Sequence, residues 1–233
     1  MLNRILWLAI LLAPFPGRGA NGVLTAETLT YEGHPHGYFL FIPAAAPQNA
    51  PLLMLLHGSG HDGKSLIDPW KGLASHEGIV LVAPNAVNPA VWQAGVDGPG
   101  LLVAILDAVG RKHGFDPTRR YLFGHSAGAN FSLLLAATQP GYFAAIAAHA
   151  GAIDASVEAL AQATPKTPIH MQVGTKDPLY RLEEVRHVRD VFQAAGFEFE
   201  LKEIAGHDHN YYSISDQVNR AAWAFLKSKR LAP

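Results

Sequence analysis

Gly124-His125-Ser126-Ala127-Gly128 is the stretch of this chain whose residue types and spacing best support chemistry. A serine with a glycine two residues before it and another two after it suits a turn tight enough to push the hydroxyl out of a sheet. The missing Cβ atoms avoid collisions with the neighbouring strand and helix. An apolar run precedes the turn at 121–123 and a helix-compatible segment follows at 129–138. Strand, sharp turn and helix are the context in which Gly-x-Ser-x-Gly marks a nucleophile. Ser126 is therefore the expected nucleophile. The helix after it would aim free N–H groups and its positive dipole end at the reaction centre.

A serine hydroxyl needs a base, and the base needs an orienting group. Asp177, just past the apolar run 169–174 and followed by Pro178, is placed to accept a hydrogen bond from an imidazole. The loop Ala205-Gly206-His207-Asp208-His209 offers that imidazole at 207 or at 209. Gly58-Ser59-Gly60 closes another apolar run, 51–56, and permits close backbone approach to a ligand. An oxyanion hole is expected there, made by the N–H of Ser59 and the N–H of Ala127. His57 reads as a side chain that braces this loop. Trp92, at the centre of the Asn-, Pro- and Gly-rich loop 85–100, either walls an acyl or aromatic group or packs the loop down. His207-x-His209 with Asp208 resembles a metal cluster, but it lacks a further ligand pair at helical spacing. No metal and no cofactor are expected.

The elements that must position these residues alternate between strand and helix. Strands are expected at 29–32 and 38–42, as a hairpin around 33–37, then at 51–56, 79–84, 143–149, 169–174 and 198–204. Helices are expected at 67–77, 101–113, 183–195 and 214–229. The continuous apolar strands suit a mostly parallel sheet covered on both faces. Between residues 151 and 168 there is room for one short helix and no cap domain.

Composition narrows the class of protein. The chain has 233 residues, 49% of them hydrophobic and 16% charged, enough for one α/β domain with a large core. There is no cysteine, which excludes a thiol nucleophile and any thiolate metal site. Arg4, the apolar run 5–13, and then Pro14, Pro16 and Gly17 have the layout of a secretory signal peptide, expected over 1–22 with the domain at 23–233. Loss of Arg4 and Arg18 would leave 16 basic and 19 acidic residues, a net of −3. That mild balance argues against nucleic acid or an anionic membrane as partner; a membrane enters only if the segment stays uncleaved. The expected location is secreted or periplasmic.

Ser126, then Asp177, then a histidine at 207 or 209 is the chain order of the α/β-hydrolase superfamily, which this sequence resembles over nearly all of 23–233. Within it the chain is most similar to secreted esterases of the polyhydroxybutyrate depolymerase and feruloyl esterase type. The features behind this are the strand into His57-Gly58, Asp116-Pro117-x-Arg119-x-Tyr121, and the helix at 101–113. Asp97-Gly98-Pro99-Gly100-Leu101 stands where many relatives carry Asp-Asp-Val-x-Phe, and Gly128-Ala129 where they often have Gly-Gly. Asp208-His209-Asn210-Tyr211-Tyr212 is similar to the Asp-His-Ser-Tyr-Tyr segment of S-formylglutathione hydrolases, whose histidine there is catalytic. The resemblance thus implies an α/β-hydrolase fold and a Ser126–Asp177–His209 triad, with His207 shaping the loop or lining the pocket. The implied partner is a small-molecule or polymeric ester. A peptidase, an acyltransferase or a thioesterase on the same triad is the alternative.

Overall fold

The computed structural model describes residues 21–232, so the expected signal segment lies, except for Asn21 and Gly22, outside the described residues. The chain opens with a hairpin, β1 (Gly22–Tyr31) and β2 (His34–Pro43). Strand β3 (Leu52–Leu56), helix α1 (Gly63–Glu77), strand β4 (Val80–Pro84), helix α2 (Pro99–His113), strand β5 (Arg120–His125) and helix α3 (Ala127–Thr138) follow. Then come β6 (Ala145–His149), a short α4 (Val157–Ala161), β7 (Ile169–Gly174), α5 (Leu182–Ala194) and β8 (Phe199–Ile204). A 3₁₀ turn (Tyr211–Ile214) leads into α6 (Ser215–Leu226).

The strands form one sheet in the order β1-β2-β4-β3-β5-β6-β7-β8. β1 and β2 are antiparallel to each other, β2 is antiparallel to β4, and the remaining pairs are parallel. Alternation along β3 shows why both faces must be covered. Leu52, Met54 and Leu56 pack with α2, α3 and α5 on one face, while Leu53 and Leu55 pack with α1 and α6 on the other. The fold is the α/β-hydrolase fold, and between β6 and β7 it carries only the five-residue α4.

Strand β1 starts at Gly22 instead of 29, and two further expected boundaries move, each for a local reason. The hairpin turn is Glu32-Gly33, not 33–37. Both residues sit at positive φ, 49° and 82°, the two-residue turn whose twist matches its strands. His34, Pro35, His36 and Gly37 then join the ladder opposite Tyr31, Thr30, Leu29 and Thr28. Helix α1 begins at Gly63 instead of 67, because the Asp62 side chain caps it by accepting from the Ser65 N–H at 2.9 Å.

The site is set by the order of the central strands. The chain leaves β3 for β4 on one side and later returns to β5 on the other, so a crevice opens at the carboxyl ends of β3 and β5. Leu56 pairs with Gly124, which brings the loop after β3 directly beside the turn after β5. A Cβ on Gly124 would collide with the Gly128 backbone and crowd Ser132 Oγ, and a Cβ on Gly128 would overlap the Leu56 carbonyl. Gly72 is the opposite case, exposed in α1 with open space around its missing Cβ. Gly124→Ala should therefore lose about 3 kcal/mol in urea unfolding, whereas Gly72→Ala should gain about 0.5–1 kcal/mol from helix propensity. Equal effects at the two positions would contradict this close packing of α3 on the sheet.

Candidate active site

Ser126 alone joins β5 to α3. Its φ of 54° is a left-handed conformation that costs a non-glycine residue on the order of 1–3 kcal/mol. Two backbone bonds hold it there: the Ser126 N–H donates to His149 O at 3.0 Å, and the Ser126 carbonyl accepts from the Asn130 N–H at 3.0 Å. Ser126 Oγ then lies 3.0 Å from His209 Nε2. Across the same ring, His209 Nδ1 lies 2.8 Å from Asp177 Oδ2. The Asp177 side chain is fully shielded, and its other oxygen accepts from the N–H groups of Leu179 at 2.9 Å and Tyr180 at 3.0 Å. A carboxylate at Nδ1 keeps the neutral imidazole's proton there and leaves Nε2 free to accept from the serine.

The loop after β3 is held by a second histidine. His57 Nε2 accepts from the Ala86 N–H at 3.1 Å, so its proton sits on Nδ1 and donates to Gly58 O at 2.9 Å. The His61 N–H donates to the same oxygen at 3.2 Å. In a trans peptide the carbonyl and the next N–H point in opposite directions. Anchoring Gly58 O on one side therefore turns the Ser59 N–H to the other. A Cβ built on Gly58 would lie 3.4 Å from Ser126 Cβ, so this peptide passes close over the serine. Among the described residues neither the Ser59 N–H nor the Ala127 N–H has a protein acceptor. Both are available to a ligand oxygen.

Trp92 is turned inward. Its Nε1 donates to His57 O at 2.9 Å and its ring stacks 5.7 Å from Phe131, leaving 7% of it exposed. Of the two roles read from the sequence, this geometry matches the packing one: the indole clamps the loop that carries Ser59. His207 does not reach Ser126 either. Its Nε2 lies 3.2 Å from His149 Nε2, and His149 Nδ1 lies 3.2 Å from His125 Nδ1. A buried row of three imidazoles thus runs behind the serine, and the His125 ring sits 5.1 Å from that of His209. Burial lowers the pKa of His125 to about 4, with His209 adding to the effect, and lowers that of His149 further still. Burial likewise lowers His57 and His170. Among the described residues no group of three or more His, Asp or Glu side chains is gathered to hold a metal, and no helix is long and apolar enough to cross a membrane.

Several residues of this site carry no role in the sequence reading. His125 lies inside the glycine-flanked pentapeptide, and His149 is its register partner on β6. Tyr180, three residues past Asp177, stacks its ring 5.6 Å from His209. The signal for His149 was a histidine ending an apolar strand, where side chains enter the crevice. Tyr180 had no sequence signal beyond its distance from Asp177.

The family model described as "Putative esterase" matches residues 101–226, a span that includes Ser126, Asp177 and His209 but not Ser59. Feruloyl esterase B of Neurospora crassa is 28% identical over 142 residues, covering 56% of this chain and 49% of that protein. Poly(3-hydroxyalkanoate) depolymerase C of Paucimonas lemoignei is 32% identical over 126 residues, covering 48% of this chain and 30% of that protein. The chain thus spans about half, or less, of the length of these curated relatives. In structure it is similar to LpqC, a poly(3-hydroxybutyrate) depolymerase from Bordetella parapertussis, at a TM-score of 0.73 and 18% identity over 92% of this chain and 93% of that one. It is also similar to an S-formylglutathione hydrolase from Agrobacterium tumefaciens, at a TM-score of 0.71 and 16% identity over 92% and 98%. At such identities the structural likeness speaks for the fold.

The buried neutral histidines give a testable pH dependence. Unfolded, each would titrate near 6.5, and folded it titrates lower. Below pH 6.5 the unfolded chain therefore binds the extra protons, and stability complete above that pH is lost as it falls toward the folded values. The depressed carboxylates Glu27, Asp68, Glu77 and Asp116 lose their contribution only below about pH 4.5. Tm should fall between pH 6.5 and 4.5, and His149→Gln should flatten that slope. A wild-type Tm constant across this window would refute the neutral state of His125 and His149.

Proposed function

The chain belongs to the esterase family whose model it matches, and on that premise we propose that it is a secreted or periplasmic serine carboxylic ester hydrolase working through an acyl-enzyme. The observation that carries the reading is the single His209 ring bonded to Ser126 Oγ on one nitrogen and to Asp177 on the other. His209 takes the serine proton as Oγ attacks the ester carbonyl. Asp177 then stabilises the imidazolium. The negative charge on the carbonyl oxygen falls to the free N–H groups of Ser59 and Ala127, reinforced by the N-terminus of α3. His209 returns the proton to the departing alcohol. A water activated by the same ring then releases the acid.

Bulky, aromatic or polymeric esters are the substrate class we assign. Only α4 separates β6 from β7, so no cap domain stands there over Ser126. Leu179, beside Asp177, is 65% exposed, and Tyr212, 5.3 Å from the His61 ring, is 37% exposed. Exposed side chains with apolar surface beside Asp177 and beside the His61 ring suit a hydrophobic ester of some size. The layout of residues 1–22 supports export.

Ser126→Ala should lower ester turnover by about 10⁴- to 10⁶-fold without loss of fold. His209→Ala should fall by about 10³-fold or more, whereas His207→Ala should keep at least a tenth of the activity. A folded Ser126→Ala variant that retains a tenth of wild-type turnover overturns the acyl-enzyme reading. Turnover of p-nitrophenyl esters of increasing chain length, methyl ferulate, a hydroxybutyrate oligomer and S-formylglutathione sorts the substrates. Activity confined to acetyl esters contradicts the open site, and preference for the thioester selects the thioesterase alternative.

A further inference from the structure

Resting on the serine-hydrolase reading, we propose that Tyr180 is a positioning residue for the base. Its ring holds the His209 imidazole in the plane that serves Ser126 and supports the positive charge that imidazole acquires. His209 is bonded at its two nitrogens, to Asp177 at 2.8 Å and to Ser126 at 3.0 Å. These bonds leave the ring on nearly opposite sides, so they resist rotation about the line between them only weakly. A neighbour packed on the ring face stops that roll. Tyr180 is such a neighbour, its ring 5.6 Å away and 21° from parallel. The His125 ring also lies against His209, at 5.1 Å and 35°.

Tyr180 is itself held at both ends. Its N–H donates to Asp177 Oδ1 at 3.0 Å, on the carboxylate whose other oxygen holds His209. At the far end its hydroxyl oxygen accepts from Asn130 Nδ2 at 2.9 Å. That amide is fixed in turn, because Asn130 Oδ1 accepts from the Ala152 N–H at 2.8 Å. The Asn130 backbone N–H donates to the Ser126 carbonyl at 3.0 Å. Tyr180 thus bridges the carboxylate and the first turn of α3, with its ring against the base between them. Burial raises the pKa of the phenol, so the ring stays uncharged through the working range.

The demand on this contact changes through the reaction. When Oγ attacks, His209 takes its proton and becomes cationic. A neutral aromatic face whose centre lies within about 6 Å favours such a cation. In the acyl-enzyme Oγ is esterified and has no proton to give, so His209 keeps only the bond to Asp177. The imidazole must still keep Nε2 aimed at the attacking water. Its stack with Tyr180 involves no atom of Ser126, so acylation leaves it in place, and deacylation depends on it most. No bond or proton is exchanged with Tyr180.

Tyr180→Leu removes the ring and keeps an apolar side chain. For p-nitrophenyl esters kcat should fall about 3- to 30-fold. KM should stay level or fall, because slower deacylation lowers both constants. Tyr180→Phe, which restores the ring, should recover most of the lost rate. Placed on His209→Ala, Tyr180→Leu should cost no further residual turnover, because it acts through the imidazole. Tyr180→Met, a second variant without a ring, is read in the same way should Tyr180→Leu fail to fold. Wild-type kcat in a folded variant without the ring overturns the proposal. So does a loss that Tyr180→Phe does not recover, a loss carried by a raised KM, or an equal loss on His209→Ala. A wild-type protein that a fluorophosphonate does not label at Ser126 overturns the serine-hydrolase reading as well, which separates the two failures.

Discussion

Helix α3 rests on the end of strand β3 with no side chain between them, and the rest of the site depends on that contact. Gly128 faces the Leu56 carbonyl so closely that a methyl group would overlap it, and Gly124 faces Gly128 in the same way. The helix N-terminus is thereby held beside the loop that follows β3. Ser59 and Ala127, 68 positions apart in sequence, can then offer N–H groups to one oxygen. The strained backbone of Ser126 is a consequence, because a chain leaving the sheet and entering a helix in one residue has few other conformations open to it. Bonds to His149 O and from the Asn130 N–H stabilise the turn, which ties it to β6 and to the first turn of α3.

The electrostatics of the crevice divide its histidines into two kinds. His125 and His149 are buried without a carboxylate, so their charged forms are costly and they stay neutral. His209 alone has a shielded carboxylate bonded to its ring. In the proposed reaction the base becomes cationic, and a carboxylate at the ring favours that. This distinction, more than chain position, separates His209 from His207. His207 reaches a neutral imidazole, and its nearest carboxylate contact is Asp208 at 3.9 Å.

The loops around the crevice are braced by buried side chains. Trp92 and His57 hold the loop after β3 from beneath, through Trp92 Nε1 on His57 O and His57 Nδ1 on Gly58 O. Asp97 anchors the 85–98 loop by accepting from the N–H groups of Val87 and Gln93 at 2.8 and 2.9 Å. The buried parts of this loop are therefore scaffolding, and its exposed valines, Val87, Val91 and Val96, are the side chains left to meet solvent.

The sequence by itself determined the sheet, the tight turn that carries Ser126 and the place of Asp177 after a buried strand. Apolar strands such as 51–56 and 169–174 bury both faces, so their composition is dictated locally, and the glycines around Ser126 answer a steric demand only a few residues wide. The 33–37 turn and the start of α1 were misread because a two-residue turn and an Asp cap leave only a faint trace in the sequence. Which histidine meets Ser126 was beyond local reading, since His207 and His209 leave the same strand two residues apart. Tertiary structure decided it through the direction of the loop after β8 and the position of Asp177 in the loop after β7. The inward turn of Trp92, the imidazole row and the Asn130–Tyr180 contact were decided there as well. Each depends on side chains brought together from different strands and helices, and the spacing of residues along one segment carries no record of which distant partner will face it.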